Sequence, residues 1–422
     1  MVLNVLHADF GDVYADIVSH DTYVRSVPHA AFAHLRKTDP VAWVDEPDGD
    51  GFWAVLKHKD LITVSKDWER FTVSKGIRLE EMDAEELHHR RTMIEFDPPE
   101  HARLRRLVQK GFTPKVVASY EQAFRLLVNE VLDRVLVHDE FDFVSEIARE
   151  LPISLLCRLL GVDQGDSGKL VNWGDRMISN TDPEYADFVI DKDDTEEYRL
   201  LPFRSPAALE VFSYAEKAAL QRRQEPHDDI ISNLLAPDKD GKPLTDLEFK
   251  NFFALLMVAG NETTRHTITH GLMMMMNHPD QWSAFRADPA GMSKLATEEI
   301  LRASSVTMHF RRTATIDTEL GGKEIRAGDK VVMWYISADY DEDAFSDPFA
   351  FDITRNEADV LAFGVGRHIC LGAHLARLEV KVMFEELAHR VERFQILGQP
   401  DRLRSNFING IKHLPVRPVL AA

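Results

Sequence analysis

The chain has 422 residues, of which 44% are hydrophobic and 28% are charged, a composition typical of a globular protein with a large core. Its net charge of −20 argues against nucleic acid as a partner. No apolar stretch reaches the ~18 residues needed to cross a bilayer, so we predict no membrane anchor. The start of the sequence lacks signal-peptide features, and the two cysteines lie far apart, so we predict a cytoplasmic location.

The first elements in chain order are two strand-like runs, at residues 41–44 and 52–56. A turn-rich segment separates them, which predicts a hairpin. Residues 71–94 are charged and have no regular pattern, and a helix is predicted to begin after the sequence Asp-Pro-Pro-Glu at 97–100.

Residues 115–160 predict two helices, and the acidic residues 163–225 predict helices joined by a mobile loop. Strands and turns prevail after about residue 317. We find no repeat and no domain boundary. The sequence therefore predicts a mainly α protein with small β-sheets that forms a single domain, residues 1–422.

A long central helix is predicted from the capping-box pattern at Thr245 and Glu248 to the stop signal at Pro279. Apolar residues surround its middle, which indicates a buried helix. Within it lies the segment Ala-Gly-Asn-Glu-Thr-Thr at 259–264. Buried polar groups cost free energy unless they are partnered, so this segment is a candidate functional site.

A second candidate lies at residues 363–372, Phe-Gly-Val-Gly-Arg-His-Ile-Cys-Leu-Gly, just before a strongly predicted helix. The glycines permit a tight turn that presents Cys370 near the N-terminus of that helix. Helix-end N–H groups favour a thiolate, and a rigidly held thiolate suits an axial ligand of haem iron. A buried structural cysteine is the alternative interpretation.

This loop resembles the haem-ligand loop of the cytochrome P-450 family at every position, and residues 259–264 resemble that family's Ala/Gly-Gly-x-Asp/Glu-Thr motif. The resemblance implies the family's triangular-prism fold, with haem b held between the long central helix and the helix after the cysteine. It implies that Cys370 is the axial ligand of the iron. The residues implied to lie against the haem are Ala259, Gly260, Phe363 and Gly364.

The same resemblance assigns catalytic roles to Glu262, as a proton shuttle, and to Thr263, as the hydrogen-bonding partner of the bound oxygen. A threonine bonded to its own helix is the structural alternative. His266 and His270 have an i, i+4 spacing found in metal sites, but no third ligand is evident, so packing is the simpler interpretation.

Cationic residues are needed for the two haem propionates. The resemblance implies that His101, Arg105, Arg312 and His368 hold them, with Arg311 as a near alternative to Arg312. A second charged set, Glu299, Arg302 and Arg355, resembles the family's buried network behind the haem loop. We expect this network to support folding rather than catalysis.

The resemblance implies a monooxygenase that inserts one oxygen atom from O2 into a C–H bond of a hydrophobic substrate. Short segments, at 259–265 and 405–417, look like members that oxidise sterol side chains, methyl-branched lipids or terpenoids. The predicted substrate-lining residues are Leu255, Val258, Val306, Thr307 and Met308, with Ile77, Leu79, Ile94 and Phe203 as weaker candidates.

Electrons are expected from a ferredoxin and its NAD(P)H-dependent reductase. The predicted basic dock for the ferredoxin consists of Arg103, Arg106, Lys110, Arg377 and Lys381. Two other functions remain open, a peroxide-driven peroxygenase and a haem-based gas sensor or carrier. The acid–alcohol pair argues against both, because neither function needs a proton relay.

Overall fold

A computed structural model describes residues 13–46 and 49–421. It is 54% helical with small sheets, which confirms the predicted fold class. The α-helices are α1 (Val13–Val18), α2 (His20–Arg25), α3 (His29–Thr38), α4 (His58–Lys66), α5 (Ala84–Arg90), α6 (Glu100–Val108), α7 (Pro114–Val135), α8 (Glu150–Leu160), α9 (Ser167–Ile178), α10 (Ala207–Gln224), α11 (Ile230–Leu235), α12 (Asp246–Asn277), α13 (Pro279–Ala287), α14 (Pro289–Ser304), α15 (Tyr335–Ala338) and α16 (Ala373–Arg390).

The strands of the described residues form four small sheets. The strands are β1 (Val41–Val44), β2 (Phe52–Val55), β3 (Phe71–Thr72), β4 (Phe141–Asp142), β5 (His309–Ala314), β6 (Thr318–Leu320), β7 (Lys323–Ile325), β8 (Lys330–Trp334), β9 (Val391–Ile396), β10 (Asp401–Arg402), β11 (Ile411–His413) and β12 (Pro415–Leu420). The largest sheet has the order β1-β2-β8-β5-β3, and the others are β4-β12-β9, β10-β11 and β6-β7. The predicted hairpin is the antiparallel pair β1–β2.

Helix α12 passes through the centre of the molecule. Its 32 residues begin after Thr245, whose side chain and that of Glu248 form the predicted capping box, and extend ~48 Å. The helix packs against α8, α9, α10, α14 and α16, so most of its surface is buried. A helix enclosed on nearly every side explains why its sequence is apolar all round instead of amphipathic.

One region differs from the sequence prediction. In the C-terminal part of the chain, strand pairing begins at β5, before residue 317, and β5 lies between β3 and β8 in the large sheet. The weakly patterned region 163–225 contains helices, as predicted: α9 and the 18-residue α10. Helix α10 touches α9, α11 and α12, so contacts on several faces hide a simple amphipathic stripe.

No helix in the described ranges is long and apolar enough to cross a membrane.

Candidate active site

Two left-handed glycines shape the loop that carries Cys370. Gly364 and Gly366 have φ of +65° and +81°, a region that residues with side chains rarely adopt. A Cβ at Gly366 would also lie 2.9 Å from the carbonyl oxygen of Ser65. The N–H of Cys370 donates to the carbonyl oxygen of Phe363 at 2.9 Å, which closes the loop. The glycines therefore fix the position of the cysteine.

The cysteine lies just before α16, and its side chain is exposed to a cavity within the protein. Burial raises the pKa of the Cys370 thiol, and a hydrogen bond from the N–H of Gly372 and the charges of Arg105 and Arg377 oppose that rise. The helix-end effect expected to favour a free thiolate is therefore outweighed by burial. A thiolate at this position needs a further positive charge, such as a bound metal ion.

A cavity of about 240 Å³, the cysteine cavity, separates this loop from the central helix. Cys370 and Gly364 line it on one side, and Ala259, Gly260 and Thr263 of α12 line it on the other. The absence of a side chain at Gly260 matters, since a Cβ there would lie 3.2 Å from Leu156. The two motifs, separated by about a hundred residues in sequence, thus face each other across one space.

Four basic side chains, His101, Arg105, Arg312 and His368, line the same cavity. Nε2 of His101 and both ring nitrogens of His368 are buried without hydrogen-bond partners. Burial lowers the pKa of His101 to about 4 and that of His368 to about 2, and it also lowers the pKa of both arginines. Neither arginine has an acidic partner within 4.0 Å in the described part of the chain.

Unpaired cations and buried donors are costly unless an anionic group binds them. The four side chains and the cysteine sulfur therefore fit haem, which carries two carboxylates and an iron atom that accepts a thiolate ligand.

Strand alternation separates Arg311 from Arg312. Successive residues of β5 point to opposite faces of the sheet. Arg312 lines the cysteine cavity together with Phe310, whereas Arg311 donates to Glu81 at 3.2 Å on the other face. The geometry therefore favours Arg312 over Arg311 as a residue that contacts a cofactor.

Thr263 and Glu262 point in different directions from α12. The hydroxyl of Thr263 donates to the carbonyl oxygen of Ala259 at 2.9 Å and lines the cysteine cavity. Glu262 does not line that cavity. It lines a neighbouring one of about 130 Å³, the second cavity, which Thr263 also lines. Thr263 therefore lies between the carboxylate of Glu262 and the cysteine cavity.

Glu262 belongs to a buried network that the sequence interpretation missed. Its carboxylate pairs with Arg265 and accepts a hydrogen bond from Asn261 at 2.9 Å. Arg265 also donates to Asp175 at 2.8 Å, and Asp175 in turn pairs with Arg149. Burial raises the pKa of Glu262, and Arg265 opposes that rise. Arg265 directly follows the motif in sequence, but Asp175 and Arg149 gave no sequence signal.

Glu379 is a second acid that sequence reasoning missed. It lies on α16, is 2% exposed and lines the cysteine cavity. Burial raises its pKa to about 8, and a hydrogen bond from Thr264 opposes the shift. Its position nine residues after Cys370 places it on the helix that supports the cysteine loop.

Three predicted substrate-lining residues, Leu255, Val306 and Thr307, line the cysteine cavity, and Val258 lines only the second cavity. The prediction for Met308 is wrong. Its side chain is fully buried in a separate core cluster with Val332 and Trp334. Met308 directly follows Thr307 in an extended segment, so it points to the opposite side of the chain.

Among the weaker candidates, Ile77 and Ile94 line both cavities and Phe203 lines the second one. Leu79 lines neither, because it packs against the same cluster as Met308.

Glu299, Arg302 and Arg355 form one buried ion-paired cluster. Glu299 accepts from Arg302 at 2.7 and 2.8 Å and from Arg355 at 3.1 Å. Arg302 also donates to the backbone carbonyls of Asp339 and Pro348. The cluster ties α14 to the segment that leads into the cysteine loop.

Three residues of the predicted basic dock are already neutralised. Arg103 pairs with Glu100, Arg377 with Glu298 and Lys381 with Glu121. Arg106 and Lys110, on and just after α6, are exposed, and neither forms an ion pair among the residues that the structure describes. The unpaired positive charge of the dock is thus confined to these two side chains.

The histidines at 266 and 270 bind the backbone. His266 accepts from the N–H of Ile411 at 3.2 Å, and Nε2 of His270 lies 2.8 Å from the carbonyl oxygen of Asn409. Burial lowers the pKa of both rings.

Comparisons with known proteins agree with the site described above. The family model described as Cytochrome P450 matches residues 28–288 and 294–414. The chain is 38% identical to a steroid C26-monooxygenase of Rhodococcus jostii (strain RHA1), over 95% of this chain and 84% of that protein. It is 37% identical to a methyl-branched lipid omega-hydroxylase of Mycobacterium tuberculosis (strain ATCC 25618 / H37Rv), over 92% of this chain and 91% of that protein.

Among solved structures, the chain is similar to a Mycobacterium marinum cytochrome P450 in complex with pseudoionone. The TM-score is 0.86 and the sequence identity is 35%, with 95% of this chain and 97% of that chain covered. The overall fold is therefore shared with that structure.

Proposed function

The chain belongs to the cytochrome P450 family and is a monooxygenase that acts on hydrophobic substrates, and from this premise we propose how its residues perform that reaction. The main support for the proposal is the arrangement of residues around the cysteine cavity. The sulfur of Cys370 and the hydroxyl of Thr263 line the same cysteine cavity from opposite sides. Four basic side chains also line it, and buried ring nitrogens of two of them, His101 and His368, have no hydrogen-bond partner.

The family implies a haem-iron cofactor, and we propose that it is haem b, whose iron the sulfur of Cys370 would hold. Bound haem supplies the activation of O2 and the insertion of one oxygen atom into a C–H bond. His101, Arg105, Arg312 and His368 would bind the two propionates, which satisfies their buried donors. Phe363, Gly364, Ala259 and Gly260 would contact the faces of the macrocycle.

We propose that Glu262 and Thr263 move the protons that O2 activation consumes. The hydroxyl of Thr263 borders both cavities, so it can pass a proton from the side of Glu262 into the cysteine cavity. Burial raises the pKa of the Glu262 carboxyl against the opposing charge of Arg265, which favours uptake of a proton there. The bond of Thr263 to Ala259 must open for this transfer, and it is a local bond that α12 can lose without unfolding.

P450 monooxygenases need a redox partner, and we propose a ferredoxin with an NAD(P)H-dependent reductase. The exposed cations Arg106 and Lys110 on an otherwise acidic protein support an acidic partner at this surface. A cytoplasmic location agrees with the two unpaired cysteines, Cys157 and Cys370. The family match, which extends over most of the chain, supports a single domain.

The apolar lining and the names of the relatives support a sterol side chain, a methyl-branched lipid or a terpenoid as the substrate. The test is to incubate haem-loaded protein with these three classes under two conditions. One contains O2, ferredoxin, reductase and NADPH, and the other contains hydrogen peroxide alone.

We expect hydroxylated product under the first condition and little under the second. Equal turnover with peroxide alone would indicate a peroxygenase. Haem-loaded protein that binds O2 but oxidises none of the three classes would favour a gas sensor or carrier.

A further inference from the structure

The second cavity contains a buried guanidinium that has no acidic partner. Arg78 lines this cavity, and its Nη1 is enclosed without a hydrogen-bond partner. Its one hydrogen bond in the described chain is a long one, from Nη2 to Asn180 at 3.5 Å. The guanidinium carbon lies 5.3 Å from the ring centre of Phe203 and 5.0 Å from that of Phe407. Two aromatic rings thus hold the charge in place without neutralising it.

Each acid that lines this cavity has a hydrogen-bonding or ion-pair partner other than Arg78. Glu80 pairs with Arg90, and Glu262 pairs with Arg265. Glu95 accepts hydrogen bonds from both the N–H and the hydroxyl of Thr92, at 2.8 and 2.6 Å. None of these acids lies within 4.0 Å of Arg78. Glu80 and Glu95 therefore act on Arg78 only from a longer distance, where their charges oppose the lowering of its pKa by burial. Arg78 thus lines the cavity without a direct ion-pair partner.

Burying a cation without a direct anionic partner is unfavourable, and binding of an anionic ligand would remove that cost. The planar guanidinium matches a carboxylate, which it can bind through two parallel hydrogen bonds. Desolvation by the flanking rings would strengthen that pairing. Phe203, whose ring lies beside Arg78, has a φ of +60°. The backbone at this site is therefore held in an uncommon, strained conformation.

We propose that the substrate is an elongated apolar carboxylic acid, that Arg78 binds its carboxylate, and that its other end lies in the cysteine cavity. This inference rests on the proposed monooxygenase function and narrows its substrate class.

The two cavities have the connection that such a molecule requires. They share the lining residues Ile77, Ile94, Leu255, Ala259, Thr263, Thr307 and Phe310. The second cavity follows α12 from Asn251 to Thr263, twelve residues or ~18 Å along the helix. The shared lining is mainly apolar, which suits the hydrocarbon part of the acid. With the carboxylate held at Arg78, the end of the molecule remote from that group would be the one presented for oxidation.

The test compares one acid with its neutral ester on haem-loaded protein. The probes are 15-methylhexadecanoic acid and its methyl ester, with cholest-4-en-3-one as a neutral ketone. Dissociation constants are measured by the shift of the haem absorption band and by calorimetry. The variants are Arg78→Met, which keeps the bulk, and Arg78→Lys, which keeps the charge. The matched control is Arg91→Met, because Arg91 lines the same cavity but donates to the carbonyl oxygen of Ser74.

We expect wild-type protein to bind the acid about tenfold more tightly than the ester, as for a hydrogen-bonded charge pair. Arg78→Met should abolish this preference and leave the ester constant within about twofold. Arg78→Lys should keep part of the preference, and Arg91→Met should keep all of it. Unfolding temperature and the carbon monoxide spectrum verify that each variant is folded and holds haem.

An acid preference that survives in Arg78→Met would overturn the inference, and so would a wild-type protein without that preference. Loss of ketone binding but not of acid binding in Arg78→Met would assign Arg78 to a neutral carbonyl instead. In each of these cases a wild-type protein that still hydroxylates neutral lipids leaves the proposed function intact. Failure of that function would instead appear as no turnover of any lipid by haem-loaded wild type.

Discussion

At the scale of single residues, burial is what gives this site its chemistry. Glu262 and Glu379 are carboxyl groups on two different helices, and burial raises the pKa of both. The pKa values of His101 and His368 are lowered instead, because burial disfavours the charged forms of these rings. The same physical cause thus favours neutral acids and neutral histidines around the two neighbouring cavities.

Glu379→Gln should change how stability depends on pH. The pKa of Glu379 is about 8 in the folded protein against an ordinary value of 4.5. Between these values the unfolded chain releases a proton that the folded protein keeps, so the wild type loses stability as pH rises. Glutamine does not titrate. Thermal unfolding of both proteins should show the unfolding temperature of the variant rising relative to that of the wild type from pH 5 to pH 8. A difference in unfolding temperature that does not change with pH would contradict this.

Glu262→Gln should slow turnover driven by O2 and reductase by about a hundredfold, because an amide cannot relay a proton. Arg265 keeps its bond to Asp175, so the variant should fold. Peroxide-driven turnover should change little, since peroxide already contains the protons. The control is Glu216→Gln on the exposed surface of α10, which should leave both rates unchanged. An equal decrease in both assays would indicate a structural role for Glu262.

At the scale of elements, two features hold the cysteine loop in position. The first is the pair of glycines with positive φ, and the second is the ion-paired cluster of Glu299, Arg302 and Arg355. One acts within the loop and the other acts on the segment that precedes it. Each can be tested by a substitution with a matched control.

Gly366→Ala should lower haem retention and thermal stability. Its new Cβ would lie 2.9 Å from the carbonyl oxygen of Ser65, in a backbone region that alanine disfavours. Gly322→Ala is the control, since Gly322 also has a positive φ, of +79°, but open space around it. The control separates backbone strain from the clash. Equal haem retention in the two variants, measured by the ratio of haem to protein absorbance, would show that the clash is unimportant.

Glu299→Gln should destabilise the protein by about 3–5 kcal/mol, because Arg302 would be left buried without an acid and Arg355 would keep only Glu357. Glu298→Gln is the neighbouring control, since Glu298 pairs with Arg377 at a partly exposed position. That variant should cost about 1 kcal/mol or less. Denaturant unfolding measures both values, and a similar cost for the two would contradict the assigned role of the buried cluster.

At the scale of the whole molecule, the charge is strongly asymmetric. The chain has a net charge of −20, yet two unpaired cations, Arg106 and Lys110, lie on the surface formed by α6 and the turn that follows it. The neighbouring cations of the predicted dock are neutralised by acids of this same chain. Long-range attraction of an acidic partner would then depend on a small basic area.

The double variant Arg106→Glu/Lys110→Glu should slow reduction by an acidic ferredoxin about tenfold at low salt, because electrostatic attraction sets the association rate. The difference should shrink as salt is added. Lys217→Glu, an equal charge change per residue on exposed α10, should have little effect. Stopped-flow experiments across a salt series measure the reduction rate. Unchanged rates in the double variant would show that Arg106 and Lys110 do not form a docking surface for the ferredoxin.

Much of the fold and of the haem-facing residues could be predicted from the sequence, because local physical rules specify them. A capping box and a stop signal bound α12, and glycines at fixed spacing mark the loop of Cys370. The choice between Arg311 and Arg312 could not be made, because it depends on which face of β5 meets the cavity. Met308 was misassigned for the same reason.

The sequence by itself determined the helical class, the family and the two motifs, since these follow from patterns that neighbouring residues carry. Only the tertiary structure decided the partners of those motifs. In the folded chain, Asp175 and Arg149 join the network of Glu262, and Glu379 lines the cysteine cavity. Arg78 lies without a direct ion-pair partner. Pairing and burial arise between segments far apart in the chain, and a single sequence contains no local signal for them.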